Sequence, residues 1–532
     1  MLYRGGPAYA AAAPAQQPVE ATAREALLHP ASCSTDRTRT GHVPARHFSA
    51  PAVKCLVAAL AALALSSCSQ DAPRPPAAGK PNVVFIVLDT LRADHLGCYG
   101  YQHPTSPNID AFAAVATRYT RAMASAPWTM PAHASLFTGK NPFEHGGHCF
   151  KTEKFGEHNV SPLADEHLTI AEVFQAEEYK TAAFTANWAF MAPWLKLNQG
   201  FDEYTIKWTS ARVLNKQIFP WIKENAGSNF LLFINYMDTH GLYNIEPRSA
   251  VKRLLSEYAI KVQMLFGKGL HKLLGKPGRY QHPRQQMWGD LYSTIMPGTG
   301  PLPRAALQQA IQEYDTAITN VDYQLQQLFN LLKKLGLYDN TLIVLISDHG
   351  EYLGEHHYIT HGKDVYQEAL WVPLIIKKPY QENGAVEDTL ISFTDIARMV
   401  VAELPADAAA RHLDHFPDAP GNHEVVAEQY YALPKDYFNP VWGKRFDRIR
   451  TVLFDWPYKY IQSSDNNNEL YQLEDDPGET RNLIGQQPAR ARELAERLQA
   501  FIAKRGRAAT RTEADPLSPE ERERLRALGY LD

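Results

Sequence analysis

Short runs of apolar residues with no polar interruption mark the buried strands of this chain. Residues 83–88 and 342–346 consist only of Val, Ile, Leu and Phe, a pattern typical of strands covered on both faces of a parallel sheet. Further buried strands are expected at 181–185, 230–235 and 372–376. Helical segments lie between these runs, and the alternation predicts an α/β fold with a largely parallel sheet.

The longest helix is predicted from apolar residues that recur at spacings of four and three between 307 and 335. Gly336 follows the last of them, and a glycine at that position commonly ends a helix. Shorter helices are expected at 107–117 and 167–179.

The C-terminal part of the chain has a different pattern. At 532 residues the chain exceeds the roughly 250 to 300 residues that one hydrophobic core serves. From about Ser392 the buried-strand pattern weakens, and a smaller α+β domain is expected there. Its predicted elements are antiparallel strands at 449–453, 458–462 and 470–473 and helices at 489–504 and 517–531.

Composition divides the chain into five parts. Residues 1–52 are rich in Ala, Pro, Arg and Thr without periodicity, and we expect them to be disordered. The remaining parts are a signal peptide at 53–67, a Pro-rich tether at 68–80, a catalytic domain at 81–391 with a cleft-shaping insertion at 241–305, and the smaller domain at 392–532.

The segment that precedes Cys68 resembles a bacterial lipoprotein signal peptide. Lys54 is followed by a short apolar run and then by Leu65-Ser66-Ser67-Cys68, which is similar to a lipobox. The resemblance implies a lipid on Cys68, export, and anchoring on the periplasmic side of the envelope, with the outer membrane favoured. No Met lies between Leu2 and Cys68. Residues 1–52 are therefore either a disordered extension or an untranslated segment upstream of a start at Val53.

Charge and cysteine content exclude one partner and leave one question open. The 54 Lys and Arg against 58 Asp and Glu give a net charge of −4, which offers no basic field for nucleic acid. Cys98 and Cys149 are the thiols downstream of Cys68. They either pair or stay free and buried, and the second alternative is favoured.

Two predicted strands stop at residues of the kind that bind metals. Asp89 directly follows 83–88, and Asp348 with His349 follows the 342–346 strand. Residues beyond the carboxyl ends of parallel strands come together in one crevice of an open α/β sheet. Carboxylates with one imidazole suit Ca, Mg, Mn or Zn. We therefore predict one divalent cation at these three residues.

Thr129 is the candidate nucleophile. Pro131 is tolerated in a first helical turn, so a helix is expected to begin with Thr129 as its N-cap. The N–H groups of that turn would attract a tetrahedral oxyanion, and a nearby cation would lower the pKa of the hydroxyl. For this motif alone, a capping threonine without chemistry is the alternative.

Three further residues lie where loops should return to the same crevice. His240 follows the 230–235 strand, and His361 and Lys363 follow Asp348. They are predicted donors to the transferred group and to the leaving oxygen. Ordinary surface polarity is the alternative for these loops.

With these motifs in this order, the chain resembles the sulfatase family of the alkaline phosphatase superfamily from about Lys80 to the C-terminus. The resemblance implies a central mixed sheet between helices, a divalent cation at Asp89, Asp348 and His349, and a covalent intermediate on Thr129. The segments that carry it are 81–83, 89–94, 104–110, 129–140, 347–351, 361–363, 372–375, 469–471 and 476–479.

The chain departs from that family at its nucleophile. Sulfatases carry Cys or Ser, any residue, Pro, Ser and Arg, and they oxidise the first residue to formylglycine. Here the corresponding residues are Thr129, Pro131, Ala132 and His133. Threonine cannot give that aldehyde, so no formylglycine is expected, and the resemblance gives His133 the place of a catalytic Arg.

Other departures change the predicted ligand set. Thr90 stands where many members have a second Asp ligand, so a hydroxyl is expected in its place. Asn187 replaces a sulfate-binding Lys, Ala189 replaces a His, and Trp371 replaces an Arg. Asn187 and Lys140 are the substrate-binding residues that the resemblance implies.

This combination resembles the unmodified-threonine branch of the superfamily, which cleaves or transfers phosphodiesters through a phosphothreonine. We expect a metal-dependent hydrolase or transferase of phosphodiester or phosphonate-type esters, on a small-molecule substrate or an envelope glycan or lipid ester. Two alternatives stay open: a sulfuric ester hydrolase, and a non-catalytic lipoprotein that binds an envelope ligand.

Overall fold

The computed structural model describes residues 79–153, 159–241, 243, 283–416, 419–421 and 423–508, and 518, 519, 521 and 522 beyond them. The predictions for residues 1–52 and 53–67 and for nearly all of the tether lie outside the described residues. So do most of the predicted insertion and most of the predicted 517–531 helix. These stay predictions.

The described strands form a large sheet, a small sheet and a hairpin. The large sheet contains β1 (Asn82–Leu88), β2 (Thr117–Met123), β3 (Lys180–Thr185), β4 (Glu203–Ile206), β5 (Phe230–Tyr236), β6 (Thr341–Ile346), β9 (Trp371–Lys377) and β10 (Ala385–Ser392). The hairpin is β7 (Tyr352–Leu353) with β8 (Ile359–Thr360). The small sheet contains β11 (Val425–Gln429), β12 (Arg450–Asp455), β13 (Tyr458–Ser463) and β14 (Glu469–Gln472).

Twelve α-helices occur among the described residues. They are α1 (Pro107–Ala113), α2 (Thr129–Thr138), α3 (Pro142–His145), α4 (Ile170–Ala176), α5 (Ala211–Glu224), α6 (Pro283–Ile295), α7 (Arg304–Lys334), α8 (Gln367–Leu370), α9 (Phe393–Val401), α10 (Ala406–His412), α11 (Pro434–Tyr437) and α12 (Pro488–Arg505).

The order of strands in the large sheet is β10-β2-β9-β6-β1-β5-β3-β4. Only β9 runs against the others in this sheet, because it pairs antiparallel with both β6 and β2. The mixed sheet that the resemblance implied is thereby confirmed. The seven residues of β1 are all buried between parallel partners β5 and β6. The carboxyl ends of these three strands therefore meet at one edge.

The small sheet has its own apolar face. Its strands are antiparallel throughout, and α12 covers them with Leu494, Leu498 and Phe501 against Leu453 and Tyr460. This arrangement confirms a smaller C-terminal domain with antiparallel strands. The predicted boundary between the domains stays a prediction.

Two helices are shorter than the apolar periodicity predicted. The predicted 107–117 helix ends at Ala113, and Thr117 already begins β2. In place of 167–179, α4 begins after Thr169, whose hydroxyl accepts the N–H of Glu172 while the Glu172 carboxylate accepts the N–H of Thr169. This reciprocal capping fixes the start of the helix.

The strands that the sequence did not reveal lack a continuous apolar run. β2, β4 and β10 are largely half-buried or exposed along their length, so their polar residues are tolerated.

No described helix has both the length and the apolar character needed to cross a membrane. Cys98 and Cys149 are free thiols, the first half-buried and the second buried.

The small sheet holds the loop that follows β8. Asp364 Oδ2 accepts hydrogen bonds from Arg448 at 2.7 Å, Tyr358 at 2.9 Å and Arg450 at 3.3 Å. Asp364 and Arg450 are buried. Because Arg450 begins β12, this cluster fixes residues 361–364 against the C-terminal domain.

Replacing Asp364 with alanine is expected to destabilise the protein by about 3–5 kcal/mol, because it removes the buried carboxylate that Arg448 and Arg450 share and leaves Arg450 with Glu469 as its remaining counter-charge. Differential scanning calorimetry of the full chain measures the effect. Asp407→Ala is the control, since Asp407 has 80% side-chain exposure and pairs with Arg411 on one helical face; its effect should stay within about 0.5 kcal/mol. Equal losses in both variants would contradict this account.

Candidate active site

Asp89, Asp348 and His349 lie together at the edge formed by β1 and β6. Asp89 is the residue after β1, and its N–H donates to the Tyr236 carbonyl at 2.9 Å. One ligand-type atom from each of the three lies within 4.8 Å of the others, and all three residues are buried. The structure therefore brings together the three residues that the strand pattern predicted to be neighbours.

Gly350 allows the chain to pass close to the backbone of Glu368 as it leaves this cluster. A Cβ there would lie 1.9 Å from the Glu368 carbonyl oxygen, and the Gly350 N–H donates to Ala369 O at 2.8 Å. Any side chain would push the His349 loop away from the sheet edge.

Burial makes two adjacent negative charges costly at this position. Burial, together with the charge of Asp348, raises the pKa of Asp89 to about 6. Burial raises the pKa of Asp348 to about 7, although the N–H groups of Thr90 and His349 oppose the rise. Asp89 Oδ1 and Asp348 Oδ2 have no hydrogen-bond partner among the described residues. A divalent cation would both neutralise the pair and occupy these oxygens.

His349 presents the atom that a cation needs. Its Nδ1–H donates to the Gly350 carbonyl at 2.9 Å, which leaves Nε2 as the lone-pair nitrogen, 3.4 Å from Asp348 Oδ2. Burial lowers the pKa of His349 and so favours the neutral imidazole. The donor set of two carboxylates and one imidazole fits Ca, Mg, Mn or Zn.

A second cluster of potential metal ligands lies beside basic side chains. His356, Glu368 and Glu479 also lie close enough to share an ion. However, Glu479 pairs with Lys459 at 2.7 Å. The pKa of His356 is raised above its usual value because Glu368 outweighs the effect of burial. The two carboxylates thus face Lys459 and an imidazole whose pKa is raised, so their charge is partly balanced by the protein itself.

Thr129 is the first residue of α2, not its N-cap as the sequence suggested. Trp128 takes the cap position with an extended backbone and makes no capping hydrogen bond through its side chain. The Thr129 hydroxyl is thereby free for the site: Oγ accepts from Asn187 Nδ2 at 3.1 Å and lies 3.4 Å from His349 Nε2. It is buried at the positive end of a ten-residue helix.

Asn187 links Thr129 to the predicted cation site. Its Nδ2 also donates to Asp89 Oδ2 at 3.0 Å, and its own N–H donates to Thr185 Oγ at 3.0 Å, just after β3. The amide therefore orients both Asp89 and Thr129. This contact adds a positioning role to the substrate-binding role that the resemblance implied.

His133 lies behind the site and not on its open side. Its Nδ1–H donates to the Thr129 carbonyl at 2.8 Å one turn earlier in α2, and the same nitrogen lies 3.7 Å from Asp348 Oδ2. Burial lowers the pKa of His133 to about 3, so the ring is neutral. His133 supports Thr129 and Asp348, and it does not supply the charge of the Arg that it replaces.

Thr90 and Lys140 do not occupy the places predicted for them. The Thr90 hydroxyl donates to the Thr239 carbonyl at 2.5 Å, and its N–H donates to Asp348 Oδ1 at 3.1 Å; it positions a ligand. Lys140 contacts His167 Nδ1 at 2.9 Å and does not line the pocket beside Thr129. Helix α2 separates Lys140 from Thr129 and places the lysine away from the Thr129 hydroxyl.

The three loop residues that were predicted to line the crevice do lie around the pocket that contains Thr129. His240, His361 and Lys363 line one pocket of about 220 Å³ together with Thr129. The His361 ring lies 4.7 Å from the rings of both His240 and His349, measured between centroids. Burial lowers the pKa of His240 and of His361 and so favours the neutral form of both rings.

Several supporting residues were missed by sequence reasoning. Asn235 and Thr239 lie at the end of β5 and just beyond it and contact Asp89, and their position after a buried strand was a usable signal. Glu351 holds His361 Nδ1 at 3.2 Å. Asp436, which pairs with Lys363 at 2.6 Å, lies in the four-residue helix α11, which is too short for a periodic pattern to reveal it.

The family model for sulfatases matches residues 81–402, which is more than half of the chain and includes Asp89, Thr129, Asp348 and His349. The chain belongs to the sulfatase family. As a member of this family within the alkaline phosphatase superfamily, it is a hydrolase of ester bonds.

Named relatives include two glycan-directed sulfatases. The chain is 25% identical over 436 residues to an ulvan-active sulfatase of Formosa agariphila, covering 76% of this chain and 77% of the relative. It is 23% identical over 510 residues to an N-acetylglucosamine-6-O-sulfatase of Bacteroides thetaiotaomicron, covering 81% and 87%. Both relatives are named as sulfatases, in agreement with the family model.

A solved structure shares the fold. The phosphonate monoester hydrolase of Agrobacterium radiobacter aligns with a TM-score of 0.57 at 19% identity, covering 80% of this chain and 96% of that one. The fold is therefore shared over about four fifths of this chain. Folds of this type typically bind a divalent metal, which agrees with the donor set of Asp89, Asp348 and His349.

Cation affinity is expected to fall about 100-fold between pH 8 and pH 5.5, because protons on Asp348 (pKa about 7) and Asp89 (pKa about 6) must be displaced. Both carboxylates are ionised at pH 8, whereas at pH 5.5 most copies carry at least one of these protons. Calorimetric titration with Mn²⁺ measures the dissociation constant. Asp348→Asn should bind more weakly at pH 8 and lose most of the pH dependence. An affinity that does not change with pH would argue against this cation site.

Proposed function

We propose that this sulfatase-family protein cleaves or transfers phosphodiester or phosphonate-type esters through a covalent intermediate on Thr129. The observation that carries the proposal is the surroundings of the Thr129 hydroxyl oxygen. It is held by Asn187, lies beside His349, and stands at the start of α2. A threonine that served only as a helix cap would not be shared between a metal-type ligand and an orienting amide.

The first step balances with the groups at hand. The bound cation would lower the pKa of the Thr129 hydroxyl and offset the charge of the ester oxygens. Thr129 Oγ forms a bond to phosphorus while the bond from phosphorus to the leaving oxygen breaks, and the hydroxyl proton ends on the departing alcohol. Burial raises the pKa of Glu351 well above its usual value, so its carboxyl can donate to His361 Nδ1 and leave the His361 Nε2–H to donate to an oxygen of the transferred group; His240 lines the same pocket.

The second step releases the enzyme. Water, or an acceptor alcohol in a transferase, attacks phosphorus opposite Thr129 Oγ, and the threonine recovers a proton from the attacking oxygen. This displacement is available to a phosphothreonine. A sulfate ester on an ordinary alkoxide lacks the elimination route of a formylglycine hydrate, which supports phosphorus over sulfur for Thr129.

Sulfate esters are the second candidate. The observation that favours them is the naming of both relatives as sulfatases. Against them stand the neutral residues Asn187, Ala189 and Trp371 at positions where the resemblance places cationic side chains. The non-catalytic alternative is not favoured, because the family is one of ester hydrolases and the cation-type cluster adjoins a nucleophile.

Thr129→Ala is expected to lower kcat on a chromogenic phosphodiester at least about 1,000-fold, because the covalent route is lost. Thr129→Ser should keep activity within about one order of magnitude, since the hydroxyl is retained. Thr138→Ala is the matched control: it removes a buried hydroxyl of the same helix that donates to Ala134 O, outside the site.

The substrates are bis(4-nitrophenyl) phosphate, a phosphonate monoester, a phosphomonoester and 4-nitrophenyl sulfate, each tested with Mg²⁺, Mn²⁺, Zn²⁺ and Ca²⁺. Acid quenching followed by peptide mass spectrometry should find a phosphoryl group on Thr129. Unchanged rates in Thr129→Ala would refute the nucleophile. Sulfate ester hydrolysis faster than phosphodiester hydrolysis, by protein with an unmodified Thr129, would replace phosphorus with sulfur.

A further inference from the structure

A buried carboxylate outside the pocket holds one of the pocket's lysines. Asp436 Oδ2 accepts a hydrogen bond from Lys363 Nζ at 2.6 Å, and Asp436 Oδ1 accepts one from the Tyr292 hydroxyl. The side chains of Lys363 and Asp436 are only 3% and 1% exposed. Lys363 lines the pocket that contains Thr129, whereas Asp436 does not. A ligand in the pocket would therefore meet a lysine that already has a counter-charge.

The same carboxylate also acts on a second lysine. Lys435 precedes Asp436 in α11 and lines the pocket as well. Burial raises the pKa of Asp436, but the charges of Lys363 and Lys435 outweigh burial and bring that pKa below its usual value. Asp436 is therefore ionised, and it offsets part of the positive charge that the two lysines bring to the pocket.

The segment that carries Lys363 runs beside the proposed nucleophile. The Gly362 N–H donates to the Pro127 carbonyl at 2.8 Å, two residues before Thr129. A Cβ on Gly362 would lie 3.5 Å from the Trp128 Cβ. Lys363 thus belongs to the part of the wall that adjoins Thr129. In a site that excludes water, a change of charge there acts strongly on an anion bound at Thr129.

Net charge separates the classes of ester that could enter this pocket. A phosphodiester and a phosphonate monoester each carry one negative charge, whereas a phosphomonoester carries nearly two at pH 8. A second negative charge on the substrate is costly to remove from water unless the site supplies a matching positive charge. By pairing with Lys363, Asp436 reduces the positive charge that could match it.

We propose that Asp436 is a specificity-determining residue that acts through Lys363 and makes the pocket select singly charged esters over doubly charged phosphomonoesters. The inference rests on the proposed function, because it places the transferred group in this pocket. Its consequence is that removing the negative charge of Asp436, with the shape of the side chain kept, shifts the enzyme toward monoesters.

The test compares two substrates that share a leaving group, at pH 8, on the full chain loaded with Mn²⁺. They are bis(4-nitrophenyl) phosphate, with one negative charge, and 4-nitrophenyl phosphate, with nearly two. Asp436→Asn should raise the ratio of kcat/KM for the monoester to kcat/KM for the diester about 10-fold or more, because Lys363 then meets the substrate without its counter-charge. Asp436→Glu keeps the charge and should keep a ratio close to that of the wild type.

Glu479→Gln is the matched control. Glu479 pairs with Lys459 at 2.7 Å, both side chains are 0% exposed, and neither residue lines this pocket. Neutralising Glu479 should lower stability, as breaking a buried ion pair does, and leave the substrate ratio unchanged. A merely structural role of Asp436 would have the same result. Asp436→Ser is a second neutral variant in case the asparagine variant does not fold.

Binding of two anions that have no ester bond gives a readout that needs no nucleophile. Phenylphosphonate carries nearly two negative charges at pH 8 and diphenylphosphinate carries one, and calorimetric titration of the Mn²⁺-loaded chain measures both dissociation constants. Asp436→Asn should tighten binding of phenylphosphonate relative to diphenylphosphinate about 10-fold.

Wild-type ratios for both turnover and binding in a folded neutral variant of Asp436 would overturn the proposal. This failure is distinguishable from failure of the proposed function. If Thr129→Ala keeps full activity while Asp436→Asn shifts the binding ratio, the nucleophile is wrong and the role of Asp436 stands. If Thr129→Ala loses activity while both Asp436→Asn ratios stay at wild type, the nucleophile stands and Asp436 does not select the charge of the substrate.

Discussion

The repulsion between two carboxylates held out of water shapes the whole candidate site. Asp89 and Asp348 are fully buried beyond the ends of adjacent parallel strands, and burial raises the pKa of each well above the range of a free aspartate. The cost of two such charges is relieved either by protons or by a cation. Because His349 offers a lone pair to the same point, a divalent ion satisfies all three groups at once, and Thr129 lies where it would feel the ion's field.

The remainder of the fold keeps that arrangement in place. The central position of β1 between β5 and β6 sets the spacing of the ligands, and Asn187 at the end of β3 ties Asp89 to Thr129. The C-terminal domain contributes as well. It clamps the loop after β8 through Asp364, and α11 belongs to the same region and supplies Asp436 and Lys435. The smaller domain is thus part of the site and more than an appendage.

Sequence patterns anticipated the parts of this structure that depend on buried apolar runs. The runs 83–88 and 342–346 that precede Asp89 and Asp348 are apolar throughout, and ligands at the ends of such strands follow from sheet geometry. Edge strands such as β10 and half-buried β2 escaped because exposed positions accept polar residues. Side-chain pairings could not be predicted for a different reason. Nothing near Lys363 in the sequence shows that it pairs with Asp436. The extended backbone of Trp128, which makes Thr129 the first helical residue, has no signature in the composition. Lys140 was expected near the site because it is close to Thr129 in the sequence, but helix α2 separates the two residues in space.

The most direct measurement is anomalous X-ray diffraction from crystals of the full chain soaked in Mn²⁺. The account predicts one strong peak bounded by Asp89, Asp348 and His349, with Thr129 Oγ within about 2.0–2.6 Å of it. A peak at His356, Glu368 and Glu479 instead, or a Thr129 oxygen pointing away from the ion, would contradict it.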